Sequence, residues 1–208
     1  MEKVLDIYKL AYDENFPVVC MDESPKQLIK ETRPSIPMKP GSVKKEDYEY
    51  ERCGTCNIFI ANEPLKGVRV VEITERKTKK DWALFVKKIA DELYPKAEQI
   101  QLVMDNLNTH STGALYEAFP PDEARRLCDR FKFVYTPKHA SWLNMAEIEL
   151  NVLQSQCLSR RIGNIGTVKK EVKAWSHARN NMKAKINWQF KTKDARIKLK
   201  RLYPSFEV

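Results

Sequence analysis

The order of five short apolar runs, and where helical stretches fall between them, constrains this chain more than any other feature. The runs are 16–22 (FPVVCMD), 53–61, 67–74, 99–105 (QIQLVMD) and 131–135 (FKFVY). Each is short and bounded by polar or turn residues, so each reads as a strand. Only NEPLK separates the second from the third, with Pro64 and Gly67 as the punctuation of a hairpin. After the third run, Trp82, Phe85, Val86, Ile89 and Leu93 recur at helical spacing. Thr78 is placed to cap that helix, Asp81 lies in its first turn, and Pro95 stops it. Further helices are expected over 111–119 and 121–130. Another runs from a Ser141 cap to about Arg160, and at least one more, over 167–182, precedes a basic C-terminal segment. Residues 1–15 read as a short helix and a polar turn. Residues 23–52 hold four prolines and read as a long loop. Three strands able to pair antiparallel, followed by alternating helix and strand, predict a mixed five-stranded α/β sheet with helices on its faces. The helical crossovers should be right-handed.

A chain of 208 residues with 42% hydrophobic side chains can bury a core, which excludes wholesale disorder. No apolar run approaches the roughly 20 residues that span a bilayer, and the mixed, acidic N-terminus does not read as a signal peptide. The expectation is a soluble cytoplasmic protein with no membrane partner. Cys53 and Cys56 form a single C-x-x-C with no second pair at zinc-ribbon distance, so they read as reduced thiols in and beside a strand.

Charge is distributed unevenly. Residues 158–203 hold fourteen Lys and Arg against two acids, a net +12, so the rest of the chain carries −3 of the total +9. Such asymmetry points to a polyanion, most often nucleic acid. Trp175, Trp188, Phe190 and Tyr203, interleaved with the charge, favour a folded surface over a loose tail.

Two of the apolar runs end in aspartate, Asp22 and Asp105. On neighbouring parallel strands these would lie side by side where open α/β sheets bind ligands. Two carboxylates that close repel each other, and a hard divalent cation relieves the repulsion. The helix after Ser141 offers a third acid. Glu147 and Glu149 flank its apolar stripe on either side, and periodicity alone does not choose between them.

The blocks VVCMDES, LVMDNLNTH and YTPKHASWLNMAEIE resemble the three catalytic blocks of the DDE transposases, in the bacterial insertion-sequence branch of the Tc/mariner superfamily. The likeness continues through Arg179–Asn180, Trp188–Phe190 and residues 194–204. The register Ser141, Asn144, Glu147 in that family selects Glu147. The resemblance implies an RNase H-like catalytic domain over 1–160, with 161–208 a basic helical extension packed on it. It implies two divalent cations, Mg2+ or Mn2+, held by Asp22, Asp105 and Glu147. It also implies cleavage of DNA at the element's ends and joining of the 3′-OH to target DNA. Asn106, His110 and Asn144 would support the site, Asn106 and His110 by orienting water or phosphate. Lys138 and His139 would contact the scissile phosphate. Arg160, Arg161, Lys198, Lys200 and Arg201 would meet DNA phosphates. Trp142 is expected to pack in the core rather than stack on a base. The partner implied is double-stranded DNA, and the resemblance leaves room for a homodimer. Asp105 and Glu147 stand further apart than in better-known relatives, and residues 111–130 can absorb the excess as an extra helix. Family members carry an N-terminal helix-turn-helix region; this sequence starts just before the first block, so the expectation is either a fragment or the second product of a split reading frame with a separate product supplying that region.

Overall fold

The computed structural model describes residues 1–138 and 140–203. Five strands form one sheet: β1 (Val18–Glu31), β2 (Tyr50–Glu63), β3 (Val68–Thr74), β4 (Ile100–Met104) and β5 (Phe131–Tyr135). Their order is β3-β2-β1-β4-β5. The first three pair antiparallel, while β4 and β5 join parallel to β1. The helices are α1 (Glu2–Ile7), α2 (Lys79–Lys88), α3 (Thr112–Ala118), α4 (Pro121–Arg130), α5 (Ala146–Gln156), α6 (Ile165–Asn181) and α7 (Thr192–Lys198).

Strand alternation sends successive side chains to opposite faces and builds two cores. Val19, Met21, Phe59, Ala61, Leu102 and Met104 pack against α2, α3 and α4. Cys20, Ile58, Ile60, Val103 and Val134 face the other way, toward α1, α5, α6 and α7. A fully buried side chain such as Phe59 or Leu102 contributes about 1.5–3 kcal/mol. Val168, Val172, Trp175 and Ala195 belong to the second of these cores, so the basic C-terminal segment is folded onto the sheet.

The helix after the third strand starts as expected. Thr78 accepts from the Asp81 amide, and the Asp81 carboxylate accepts from Thr78 N in return. Ile89–Leu93 continues it as a π-helical turn. At the β2–β3 turn Gly67 has φ +74, and a Cβ there would lie 2.5 Å from the Lys183 carbonyl. Glycine thus permits both the turn and the close passage of the chain that leaves α6.

Two expectations are corrected. The stretch 23–52 is not one long loop, because β1 runs on to Glu31 and β2 begins at Tyr50. The two form a hairpin arm that continues beyond the rest of the sheet. Pro25 is tolerated because the parallel pairing with β4 stops at Cys20 and Val103, leaving β2 as the only neighbour. Asp22 therefore lies inside a strand, just past the point where β1 parts from β4, rather than at a strand end. The second correction concerns Ser141. Its side chain caps nothing, and Ser141–Leu143 is a separate 3-10 turn. Asn144 is extended and breaks the helix, and α5 starts at Ala146 and stops at Gln156, short of Arg160. The reason is the Asn144 amide. Its Nδ2 donates to the Met21 carbonyl at 2.7 Å, and its Oδ1 accepts from Ala146 N at 3.2 Å.

Asn144→Ala leaves the buried Met21 carbonyl without that donor. It should cost about 1–3 kcal/mol in urea denaturation. Ser141→Ala, at an exposed position with no cap to lose, should stay within about 0.5 kcal/mol.

Candidate active site

Parity along β1 decides what its residues meet. Asp22 follows Cys20 onto the α5 face, while Glu23 follows Met21 onto the face of α2. Asp22 is 9% exposed. Burial, then the charges of Asp105 and Glu147, push its carboxyl up to about 7, against the pull of the Glu23 amide, which donates to Asp22 Oδ1 at 2.8 Å. Asp105 follows β4 directly. Glu147 is in the first turn of α5, half-buried. Residues from β1, β4 and α5 thus bear electrostatically on one buried carboxyl.

Of the two glutamates that periodicity left open, Glu147 is the one whose charge reaches Asp22. Glu149 is fully buried on another side of α5. Its Oε2 lies 3.0 Å from Arg69 Nε, and its Oε1 accepts from Arg179 Nη2 at 2.8 Å.

His110 is buried and does not face solvent, contrary to the expectation that it orients water or phosphate. Its ring stacks on Trp82 at 5.7 Å and lies between two carboxylates. Nδ1 is 2.6 Å from Asp105 Oδ1, and Nε2 is 3.3 Å from Glu23 Oε2. Burial alone would lower its pKa; Asp105 and Glu23 outweigh this and raise it to about 9, so the ring is an imidazolium. Nδ1 also lies 3.3 Å from the Asp105 backbone carbonyl, so both oxygens that Asp105 turns toward the ring are engaged by it. Glu23, which the sequence reading passed over, also meets Lys77 at 3.3 Å. Its signal was adjacency: it follows Asp22 directly and shares the first block.

Asn106 and Lys138 are exposed. Asp105, Asn106, Thr136, Lys138 and Ser141 line a recess of about 290 Å³ between the loops that follow β4 and β5. His139 lies outside the described residues. Trp142, expected in the core, is 41% exposed and meets Phe190 edge-on at 5.5 Å, and Lys198 Nζ lies 6.0 Å from the Phe190 ring. The chain before α7 therefore passes close to the start of α5. Lys198, Lys200 and Arg201 are exposed. Arg160 pairs with Glu171 at 3.0 Å. Arg161 braces the β1–β2 arm through Glu31 and the Asp47 and Glu49 carbonyls.

Oxygen donors alone, in mutual repulsion, suit a hard divalent cation. Among the described residues no three His, Cys, Asp or Glu side chains are yet grouped tightly enough to ligate an ion. Cys53 and Cys56 are free thiols on β2, as read from the sequence. No described helix is long and apolar enough to cross a membrane.

His110→Ala removes the cation between two carboxylates and leaves the buried Glu23 with only Lys77. It should destabilise by about 3 kcal/mol in urea denaturation. Glu23→Gln, which retains an acceptor for the ring, should cost less than half of that.

Residues 17–169 match the family of DDE superfamily endonucleases. No curated protein matches the sequence. Similar folds are found in the Mos1 mariner paired-end complex with Mn, at TM-score 0.60 and 15% identity over 88% of this chain and 54% of that one. The Mos1 strand transfer complex gives 0.60 and 16% over 88% and 53%. The Mos1 transposase paired-end complex with the left transposon end gives 0.59 and 16% over 85% and 52%. The chain spans about half the length of the Mos1 chains it matches. Sheet order and likeness together make the fold RNase H-like. With the family match covering most of its length, this chain belongs to the DDE superfamily endonucleases.

Proposed function

We propose that the chain is the catalytic domain of a DNA transposase of the Tc/mariner type, in its bacterial insertion-sequence branch. It cuts DNA at the ends of the element and joins the 3′-OH to target DNA. The observation that carries the reading is the placement of buried Asp22 on β1, Asp105 directly after the parallel neighbour β4 and Glu147 in the first turn of α5, in a chain of the DDE endonuclease family. Asp22, Asp105 and Glu147 would hold two divalent cations, Mg2+ or Mn2+. When bound, such a pair activates the attacking oxygen and neutralises the leaving one. The Mos1 complexes with Mn and with Mg support this choice of ion.

The other roles follow from position. His110 and Glu23 hold Asp105 from the face of α2, leaving its carboxylate directed at the site. Asn144 fixes the start of α5, and with it Glu147, against the residue preceding Asp22. Lys138, at the mouth of the recess beside Asp105, is placed to meet a backbone phosphate. The exposed Lys198, Lys200 and Arg201 would add phosphate contacts that carry no sequence information. Duplex DNA of the element ends and of the target is the substrate. The Mos1 paired-end complexes support DNA as partner.

A labelled-oligonucleotide assay tests the reading. Nicking should require Mg2+ or Mn2+ and stop on chelation. Asp22→Asn, Asp105→Asn and Glu147→Gln should each lower it by about a hundred- to a thousandfold, the scale at which removing charge stabilisation acts in such sites. Joined products identify a transposase; metal-dependent cleavage without joining would instead make the chain a nuclease on the same fold. Full activity in Asp22→Asn overturns the assignment.

The basic surface generates a separate expectation. If about six side chains meet phosphates, affinity for duplex DNA should fall roughly a thousandfold between 50 and 200 mM salt. Replacing Lys198, Lys200 and Arg201 together by Gln should flatten that salt dependence in fluorescence titrations and leave the metal requirement unchanged. Identical slopes would take these three residues out of the DNA interface.

A further inference from the structure

The buried Glu149 sits two residues after Glu147 on α5, where the alternation of a core-facing helix calls for an apolar side chain. Ala146 and Leu153 occupy the same buried stripe. A fully buried carboxylate is retained only if it is paired. Here two arginines pair it. Arg179 of α6 presents its fork, Nη2 to Oε1 at 2.8 Å and Nε to Oε2 at 3.2 Å. Arg69 of β3, its side chain 1% exposed, adds charge at 3.0 Å from Oε2. The arginines are themselves fixed. Asn180 Oδ1 accepts from Arg69 N and Nη1, Arg69 Nη2 donates to the Ala184 carbonyl at 2.6 Å, and Arg179 lies over the Trp175 ring at 5.4 Å.

We propose that Arg69, Glu149 and Arg179 form a positioning clamp that sets the rotation of α5 about its axis, and so aims Glu147 at Asp22. Two residues along a helix are about 200° of rotation. Anchoring Glu149 toward β3 and α6 therefore fixes Glu147 on the opposite flank. Apolar packing alone is non-directional and leaves a helix free to turn by a fraction of a residue; a bidentate fork does not. With Asn144 pinning the start of α5 to Met21, the helix is held at two points, one on each side of Glu147. The clamp also makes α6, outside the three acidic blocks, part of what orients the third acid. The inference rests on the reading that Glu147 is a metal ligand.

The test is Mn2+ binding by the full chain without DNA, read from the electron paramagnetic resonance of the free ion. Arg179→Gln should weaken binding by roughly ten- to a hundredfold, the usual effect of losing a residue that orients a ligand. The sign is diagnostic: deleting a positive charge near carboxylates would by itself tighten cation binding. Lys173→Gln, exposed on the same helix, supplies that comparison and should leave affinity unchanged or slightly tighter. Arg179→Lys keeps the charge, loses the fork, and should fall between wild type and Arg179→Gln. If Arg179→Gln does not fold by circular dichroism, Arg179→Lys carries the test alone. Wild-type Mn2+ affinity in the folded Arg179 variants, alongside lost binding in Asp22→Asn, overturns the clamp and spares the metal reading. Unchanged binding in Asp22→Asn overturns the metal reading and the clamp with it.

Discussion

Like charges held together set the terms for this structure. Asp22 is buried where Asp105 and Glu147 both raise the cost of ionising it. Each of the three acids is held by a different part of the fold. Backbone does it for Asp22, through its place on the central strand and the Glu23 amide. An imidazolium between Asp105 and Glu23 does it for the second acid. For the third, the Asn144 amide fixes the start of the helix and the buried Glu149 fixes its face. The restraints on the acids thus come from both faces of the sheet.

The sheet makes this possible by coming apart at one point. β1 and β4 run parallel through Cys20 and Val103 and then diverge, and the space that opens is where Asp22 and Asp105 lie. Beyond it β1 keeps only β2 for company and becomes one side of a hairpin arm. The bulge between Gln27 and Ile29, and the Ile29 N–H given to the Ile162 carbonyl, bend and tether that arm. Arg161 braces its far end.

The net charge of the C-terminal segment overstates what it offers a polyanion. Arg161 is engaged by the arm, Arg179 by Glu149, and Arg196 by Glu2 of α1, with both nitrogens of its fork within 3 Å of the carboxylate. These cations hold the segment to the sheet. Lys198, Lys200 and Arg201 remain exposed, and the ring of Phe190 links Lys198 to Trp142 near the start of α5. Charge counting finds such a segment, but only packing separates the residues that fasten it from those that are free.

The five strands, the Thr78 cap, the limits of α4 and β5, and the three acidic blocks were all legible in the sequence. The strands, cap and helix limits rest on local physics: short apolar runs, capping chemistry, and prolines that stop helices; the acidic blocks were legible through their resemblance to a family. What local pattern did not reveal depended on partners distant in sequence. Pro25 sits in a strand because β4 has already left its side. Ser141 does not start α5 because Asn144 bonds to Met21, 123 residues away. Trp142 stays exposed, and His110 is enclosed by Trp82 and two carboxylates. Between Glu147 and Glu149 the family register Ser141, Asn144, Glu147 chose the first, while what encloses the second depended on distant partners. Periodicity put them on opposite flanks of one helix, and the packing of Arg69 and Arg179 against one flank shows that Glu149 is the one enclosed by arginine. Sequence determines the period of an element; which side of it meets a charge is settled only when the other elements are packed around it.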